Sequence, residues 1–250
     1  MSFEEKILSA ALRNESRTVL ALDLEDRDSS ELLRKSIVTV QNVKELICGI
    51  KINRQLILGL GLDTVAESIL KLADEFALPT IMDAKLNDVG HTNEFMAQKY
   101  FDAGFDAVIA SPVAGWDGGL DKVFEAAKSR RKGVLLLTYM SNPGAEAFYS
   151  LSVKETNGDE KPIYEILTER ALEWKAHGLI VGATQPRIIS RIRKLIGPEL
   201  PIYSPGVGAQ GGNPKSAIDA GATYLIVGRA IYSSTDPKAV AQGLRIKPST

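Results

Sequence analysis

The stretch IMDAKLNDVGHTN, residues 81–93, sets Asp83, Lys85 and Asp88 directly behind an apolar run. Asp83 and Lys85 are two apart, so in an extended chain they project from the same face. Asp88 follows where the chain leaves the strand, and at about 3.3 Å per residue an extended chain carries it roughly 10 Å beyond Lys85. Charge at a strand end is costly unless it is paired or used. A lysine flanked by carboxylates stays an ammonium, which is a poor Schiff-base nucleophile but a good proton donor and carbanion stabiliser. The chemistry this points to is proton donation or carbanion stabilisation, and class I aldolase chemistry through an imine is disfavoured.

Such residues need a scaffold that gathers strand ends. Eight short apolar runs recur along the chain: 18–23, 46–52, 79–85, 106–111, 133–138, 178–183, 200–205 and 223–228. Several are apolar on both faces, as parallel strands covered by helices on one side and a barrel core on the other must be. Helix signals lie between them. Thr64 and Glu67 read as a capping box ahead of Val65, Ile69, Leu72, Ala73 and Phe76. Asn213 and Pro214 read as N-cap and first helical residue, with Gly221 as the stop. Eight β/α units in 250 residues predict an α/β fold, a (β/α)8 TIM barrel, as a single domain over residues 1–250.

In that fold the active site lies at the C-terminal ends of the strands. Reading those ends in order gives Asp23, Lys51, Asp83 with Lys85, Ser111 and Ser141, then two glycine-rich turns. The turn SPGVGAQGGNP (204–214) contains Gly206, Gly208, Gly211 and Gly212, and VGRAIY (227–232) adds Arg229. Glycines let backbone N–H groups approach an anion closely, and an arginine fork suits phosphate oxygens. Lys51, Lys85 and Arg229 balance Asp23, Asp83 and Asp88 in charge, which avoids an unpaired buried ion. The long segment 141–162 after the fifth strand fits either a surface insertion or a lid.

Composition removes other classes. Hydrophobic residues make up 44% and charged residues 24%, as in ordinary globular proteins. A net charge of -1 gives no basic field for nucleic acid or an anionic membrane. No apolar run spans a bilayer, and the N-terminus MSFEEKILSA is acidic where a secretion signal is basic, so a cytoplasmic protein is expected. Cys48 alone excludes an internal disulfide and reads as a small buried residue, while His91 and His177 make no soft-metal cluster. His91 reads as an exposed turn residue.

The order ALD (21–23), GIKI (49–52), DAKLNDV..T (83–92), MSNPGA (140–145), SPGVGAQGG (204–212) and VGRAIY (227–232) resembles the orotidine 5'-phosphate decarboxylase family across essentially the whole chain. That resemblance implies decarboxylation of orotidine 5'-phosphate to UMP and CO2, the final step of pyrimidine nucleotide synthesis, without metal or cofactor. It implies Lys85 as proton donor to C6, Asp83 beside the scissile carboxylate, Lys51 completing the charged array at the ribose, and Asp23 on the ribose hydroxyls. Ser141 would meet the pyrimidine ring. Gln210, Arg229 and the N–H groups around Gly208 and Gly228 would hold the phosphate, with Val89, Pro205, Val207 and Gly211 among the substrate contacts. Asp88 and Thr92 would reach the neighbouring site of a homodimer. The chain departs from the family's Ile-Pro-x at Val89, Gly90 and His91, and Gly90 would loosen that turn. The alternatives are an Mg2+-dependent sugar-phosphate lyase of the same superfamily, of the keto-gulonate-phosphate decarboxylase or hexulose-phosphate synthase type, and a non-catalytic phosphate-sensing barrel. The first wants an acidic ligand at the end of strand 2, where GIKINR offers Lys51 and Asn53.

Overall fold

The computed structural model describes residues 1–154 and 158–248. Eight parallel strands close into a barrel in sequence order: β1 Thr18–Leu22, β2 Gly49–Asn53, β3 Thr80–Leu86, β4 Ala107–Ala110, β5 Gly133–Tyr139, β6 Gly178–Val181, β7 Ile202–Pro205 and β8 Tyr224–Val227. β8 closes on β1 through Thr18–Leu225 and Leu20–Val227. All eight predicted runs hold barrel strands, and β1, β4, β5, β6 and β8 are buried along their whole length. Closure leaves no unpaired edge, and the helices between strands cover the outer face.

The N-terminal end of the barrel is plugged by the helix Phe3–Arg13. Its start is a capping box between Ser2 and Glu5, and Phe3, Ile7, Ala10 and Ala11 are buried. A Cβ on Gly133 would stand 2.5 Å from the Phe3 ring, and one on Gly49 would stand 2.9 Å from Ile7. These strand-opening glycines are what let the plug seat. Phe3 in turn stacks on Tyr203, with ring centroids 6.4 Å apart.

The helical region after β2 corrects one sequence expectation. The helix Leu62–Val65 begins after Gly61, whose side-chain-free backbone has φ +83, so Thr64 lies inside the helix and is no N-cap. Its carbonyl instead accepts a hydrogen bond from Ser68 Oγ. The run continues through a π-helical turn, Ala66–Leu70, into Lys71–Glu75, still burying Val65, Ile69 and Ala73. The apolar stripe was legible, whereas the start signal misled because Gly61 provides the turn. The Asn213 cap stands: its Oδ1 accepts from Ser216 N–H at 2.9 Å, and Pro214 opens the helix Pro214–Asp219. Gly221 follows that helix at φ +110.

The segment after β5 folds as a short turn, Pro143–Ala145, a helix, Glu146–Tyr149, and an antiparallel hairpin pairing Ser152–Lys154 with Glu160–Pro162. Residues 155–157 of the proposed lid lie outside the described residues. The segment is fastened at its base by rings: Tyr149 lies 5.2 Å from Tyr139, which lies 5.9 Å from Tyr164.

Candidate active site

A cleft of about 720 Å3 opens at the C-terminal ends of the strands. Its floor is apolar, made by Ala21, Ile109, Leu137, Ile180 and Ile226. Its wall on the β1–β3 side carries the charges. Lys51, 5% exposed, places Nζ 3.1 Å from Asp23 Oδ1 and 2.9 Å from Asp83 Oδ2. Lys85 Nζ lies 2.5 Å from Asp83 Oδ1. Carboxylate and ammonium therefore alternate in the order Asp23, Lys51, Asp83, Lys85.

Register explains part of this. Ala21 pairs with Lys51 and Asn53 pairs with Asp83, so the strand pleat brings Asp83 and Lys51 to one interior layer. The other part is a distortion. Between Met82 and Leu86 the register of β3 against β4 shifts, and Lys85 adopts φ +47. The left-handed region costs a non-glycine residue about 1 kcal/mol or more. A bulge of this kind re-aims a side chain at a barrel rim, and here it sets the Lys85 ammonium on Asp83.

Electrostatics make the array self-consistent. Burial by itself would push the Asp83 carboxyl up, but the Lys51 and Lys85 ammonium groups outweigh it and bring the pKa down to about 2. Burial would likewise depress Lys51, yet Asp83 and Asp23 together raise it. Both groups are thus held charged in a site that excludes much of the solvent.

The opposite wall is the glycine loop after β7. Gly206, Gly208 and Gly211 have φ of +94, +72 and +88. The loop closes on itself through Gly208 N–H to Gly212 C=O at 2.9 Å and Gly212 N–H to Gly206 C=O at 3.0 Å. A Cβ on Gly212 would lie 2.6 Å from the Gly206 carbonyl oxygen, so only glycine fits this close approach. Pro205, Gly206, Val207 and Gln210 line the cleft with Gly228 and Arg229. Arg229 opens the turn Arg229–Tyr232, where leading N–H groups have no helical acceptor. Ser141 also lines the cleft, packed so tightly on Gly182 and Gly206 that a Cβ on either would stand 2.6 and 2.8 Å from its atoms.

Some expected residues stand elsewhere. Asp88, Val89 and Thr92 do not line this cleft, nor do Gly208, Gly211 and Ser111. Asp88 and Val89 are exposed on the turn into the helix Gly90–Ala103, and Lys85 is paired to Asp83 alone, not flanked by Asp88. His91 is exposed, but in that helix and not in a turn. Gly90 does not loosen its turn: a Cβ there would lie 2.9 Å from the Gly118 carbonyl carbon and oxygen, so glycine is what lets the two segments touch.

Other cleft residues carried no sequence signal of their own. Gln55 Nε2 donates to the Asp23 carbonyl at 3.0 Å, and Tyr232 Oη donates to the same oxygen at 3.2 Å. Together they fix the Asp23 main chain. Arg54, Glu25 and Met140 complete the rim. No group of three or more His, Cys, Asp or Glu residues able to hold a metal ion occurs among the described residues. Asn53 Oδ1 is occupied as the cap of the helix Arg54–Leu60, accepting from Leu56 N–H.

Fold and cleft together define a (β/α)8-barrel enzyme with its ionisable groups at the strand C-termini and a glycine loop suited to an anion. The chain belongs to the Orotidine 5'-phosphate decarboxylase / HUMPS family, whose model matches residues 16–244. It is 40% identical to the orotidine 5'-phosphate decarboxylase of Methanosarcina acetivorans over 224 residues, 90% of each chain. Among solved structures it is similar to orotidine 5'-monophosphate decarboxylase from Methanocaldococcus jannaschii complexed with the inhibitor BMP, at 31% identity and TM-score 0.76, covering 92% of this chain and 97% of that one. UMP synthase of Leishmania donovani matches at 27% identity and TM-score 0.87, covering 98% of this chain and 55% of that one. No helix among the described residues is long and apolar enough to cross a membrane.

Proposed function

We propose that the chain decarboxylates orotidine 5'-phosphate to UMP and CO2, as a carboxy-lyase of pyrimidine nucleotide synthesis. The observation that carries this reading is the Asp23–Lys51–Asp83–Lys85 alternation facing Arg229 and Gln210 across one cleft. It is supported by the decarboxylases to which the chain is similar over nearly its whole length.

In this reading the bond from C6 to the carboxylate breaks, CO2 departs, and the electron pair stays on C6. No adjacent carbonyl absorbs that charge, so the fixed Lys85 ammonium stabilises it and then delivers its proton to C6. The resulting amine regains a proton from solvent. Asp83, held ionised by two ammonium groups, fixes Lys85 and lies beside the departing carboxylate. Lys51 and Asp23 meet the ribose hydroxyls, and Ser141 meets the ring. Arg229 and Gln210 hold the phosphate with Pro205, Val207 and the N–H groups at Gly228, while Gly208 and Gly211, whose N–H groups close the loop on itself, shape the cradle from outside the cleft. Binding energy from the phosphate, remote from the breaking bond, drives desolvation of the reacting centre.

Asp88, Val89 and Thr92 act in the neighbouring subunit's cleft of a homodimer. The exposure of Asp88 and of Val89, at 54%, with Phe95 at 61% on the same helix entry and Thr92 half-buried beside them, supports that arrangement. The whole chain, 1–250, works as one barrel domain in the cytoplasm, requiring no metal or cofactor. The Mg2+-dependent lyase reading is disfavoured because the end of β2 presents an ammonium and an already engaged Asn53.

The decisive assay follows CO2 release from orotidine 5'-phosphate in the presence of a chelator. Turnover by the wild type and its loss in Lys85→Ala are expected. Turnover only on addition of Mg2+, or none at all, would overturn the reading.

A further inference from the structure

Asn93 is completely buried in the first turns of the helix Gly90–Ala103, yet it grips an exposed residue. Its side-chain oxygen accepts the Asp88 N–H at 3.0 Å, and its amide nitrogen donates to the Asp88 carbonyl at 2.6 Å. The same nitrogen donates to the Gly119 carbonyl at 3.0 Å. One acceptor and two donors are thus all engaged, and both polar groups of the Asp88 main chain end on one side chain. Downstream, Val89 N–H donates to Asp88 Oδ1 at 2.7 Å, so the fixed backbone also orients the carboxylate.

Asn93 is tied in turn to a closely packed neighbour. Gly90 abuts Gly118, and a Cβ on Gly119 would stand 2.4 Å from the Ala114 carbonyl oxygen. The turn carrying Asp88 therefore leans on the 114–119 segment, with Asn93 as the polar link. A residue serving only as a cap would satisfy the leading N–H groups of its own helix. Asn93 instead takes the N–H of Asp88, which precedes the helix.

We infer that Asn93 is a positioning residue for the reaction, acting through Asp88 by fixing its main chain and hence the direction of its carboxylate. This rests on the role proposed above for Asp88. A small misplacement of a positioned group is enough to lower turnover by about 100-fold.

The test is a double-mutant cycle in the full-length protein, with orotidine 5'-phosphate as substrate and kcat and KM measured separately. Asn93→Ala is expected to lower kcat by about 10- to 100-fold with KM changed by less than about threefold. In the Asp88→Ala background the same substitution should change kcat by less than about threefold, because the group it positions is gone. Its effect on the thermal midpoint should be equal in both backgrounds. An equal loss of kcat in both backgrounds would overturn the inference while leaving Asp88's role intact. If Asp88→Ala kept full kcat, the inference would fall together with Asp88's role, whereas an inactive wild type would remove the decarboxylase reading itself. Should Asn93→Ala not fold, Asn93→Leu, which keeps the side-chain size but can neither accept the Asp88 N–H nor donate to its carbonyl, carries the same cycle and the same outcomes.

Discussion

Lys85 reaches Asp83 at 2.5 Å only because its own backbone is left-handed, with φ +47 at the bulge of β3. The two residues sit on one face by strand alternation, but alternation alone does not bring an ammonium onto a carboxylate two residues back. Strain at this point is retained because the ion pair and the surrounding barrel over-determine it.

Lys85→Ala should cut kcat by about 10,000-fold or more, since it removes the proton donor and the main cation facing C6. Its side chain is 32% exposed and Lys51 still neutralises Asp83, so stability should change by about 1 kcal/mol or less. Asp83→Ala should cost less activity than Lys85→Ala. Steady-state rates of the two variants decide the order, and a much larger loss for Asp83→Ala would assign the dominant effect to the carboxylate.

Lys51 should behave in the opposite way for stability. It is almost completely buried and bridges two carboxylates, so Lys51→Met leaves Asp83 buried beside a single remaining ammonium and Asp23 without its partner. Removing one member of a buried ionic cluster costs about 3 kcal/mol or more. Urea unfolding of Lys51→Met beside Lys85→Ala should show the larger drop for Lys51.

Acid should weaken the fold through Asp83. Its carboxyl lies at about 2 in the folded chain against an ordinary 3.8. A depressed folded value means the stabilisation is complete above about 4 and is lost as pH falls through 2, amounting to roughly 2 kcal/mol. Lys51, raised in the folded chain, has the reverse sign: its contribution is present below the ordinary lysine value and lost as pH rises through the folded one. The gap between the denaturant midpoints at pH 7 and pH 3 should therefore be smaller in Asp83→Asn, which lacks this titrating group, than in the wild type.

Arg229→Ala should raise KM by about 10- to 100-fold, the loss of one charged hydrogen-bonding fork to phosphate. Arg229→Lys should recover only part of it, because a point charge does not reproduce the planar fork. A substrate lacking the phosphate should not distinguish these variants from wild type. If it did, Arg229 would act elsewhere than on the phosphate.

Mixing Lys85→Ala with Asp88→Ala protomers tests the shared-site dimer. If Asp88 works across the interface, a mixed dimer contains one cleft with both residues intact, and activity returns. If Asp88 serves its own cleft, every cleft in the mixture lacks one residue and none returns. Tagging the two variants differently and isolating the dimer that carries both tags shows that protomers have exchanged.

Much of this molecule was legible in its residues because the signals are local. Eight apolar runs specify buried parallel strands, Asn213 and Pro214 mark a helix start, and glycines at 206, 208 and 211 mark left-handed turns, each within a few residues of sequence. Strand-end logic then put Asp23, Lys51, Asp83, Lys85 and Arg229 on one rim, where the structure has them lining one cleft. What only the tertiary structure decided depends on groups distant in sequence. Gly61 displaced the Thr64 cap, and Phe3 and Ile7 filled the barrel floor over Gly133 and Gly49. Gln55 and Tyr232 met at the Asp23 carbonyl from elements 177 residues apart by their numbers, a juxtaposition no local pattern encodes. Gly90 read as a loosened turn until Gly118 stood against it. Residue types and periods determine which elements form and which chemistry they carry, while barrel closure and side-chain packing decide which of those groups meet.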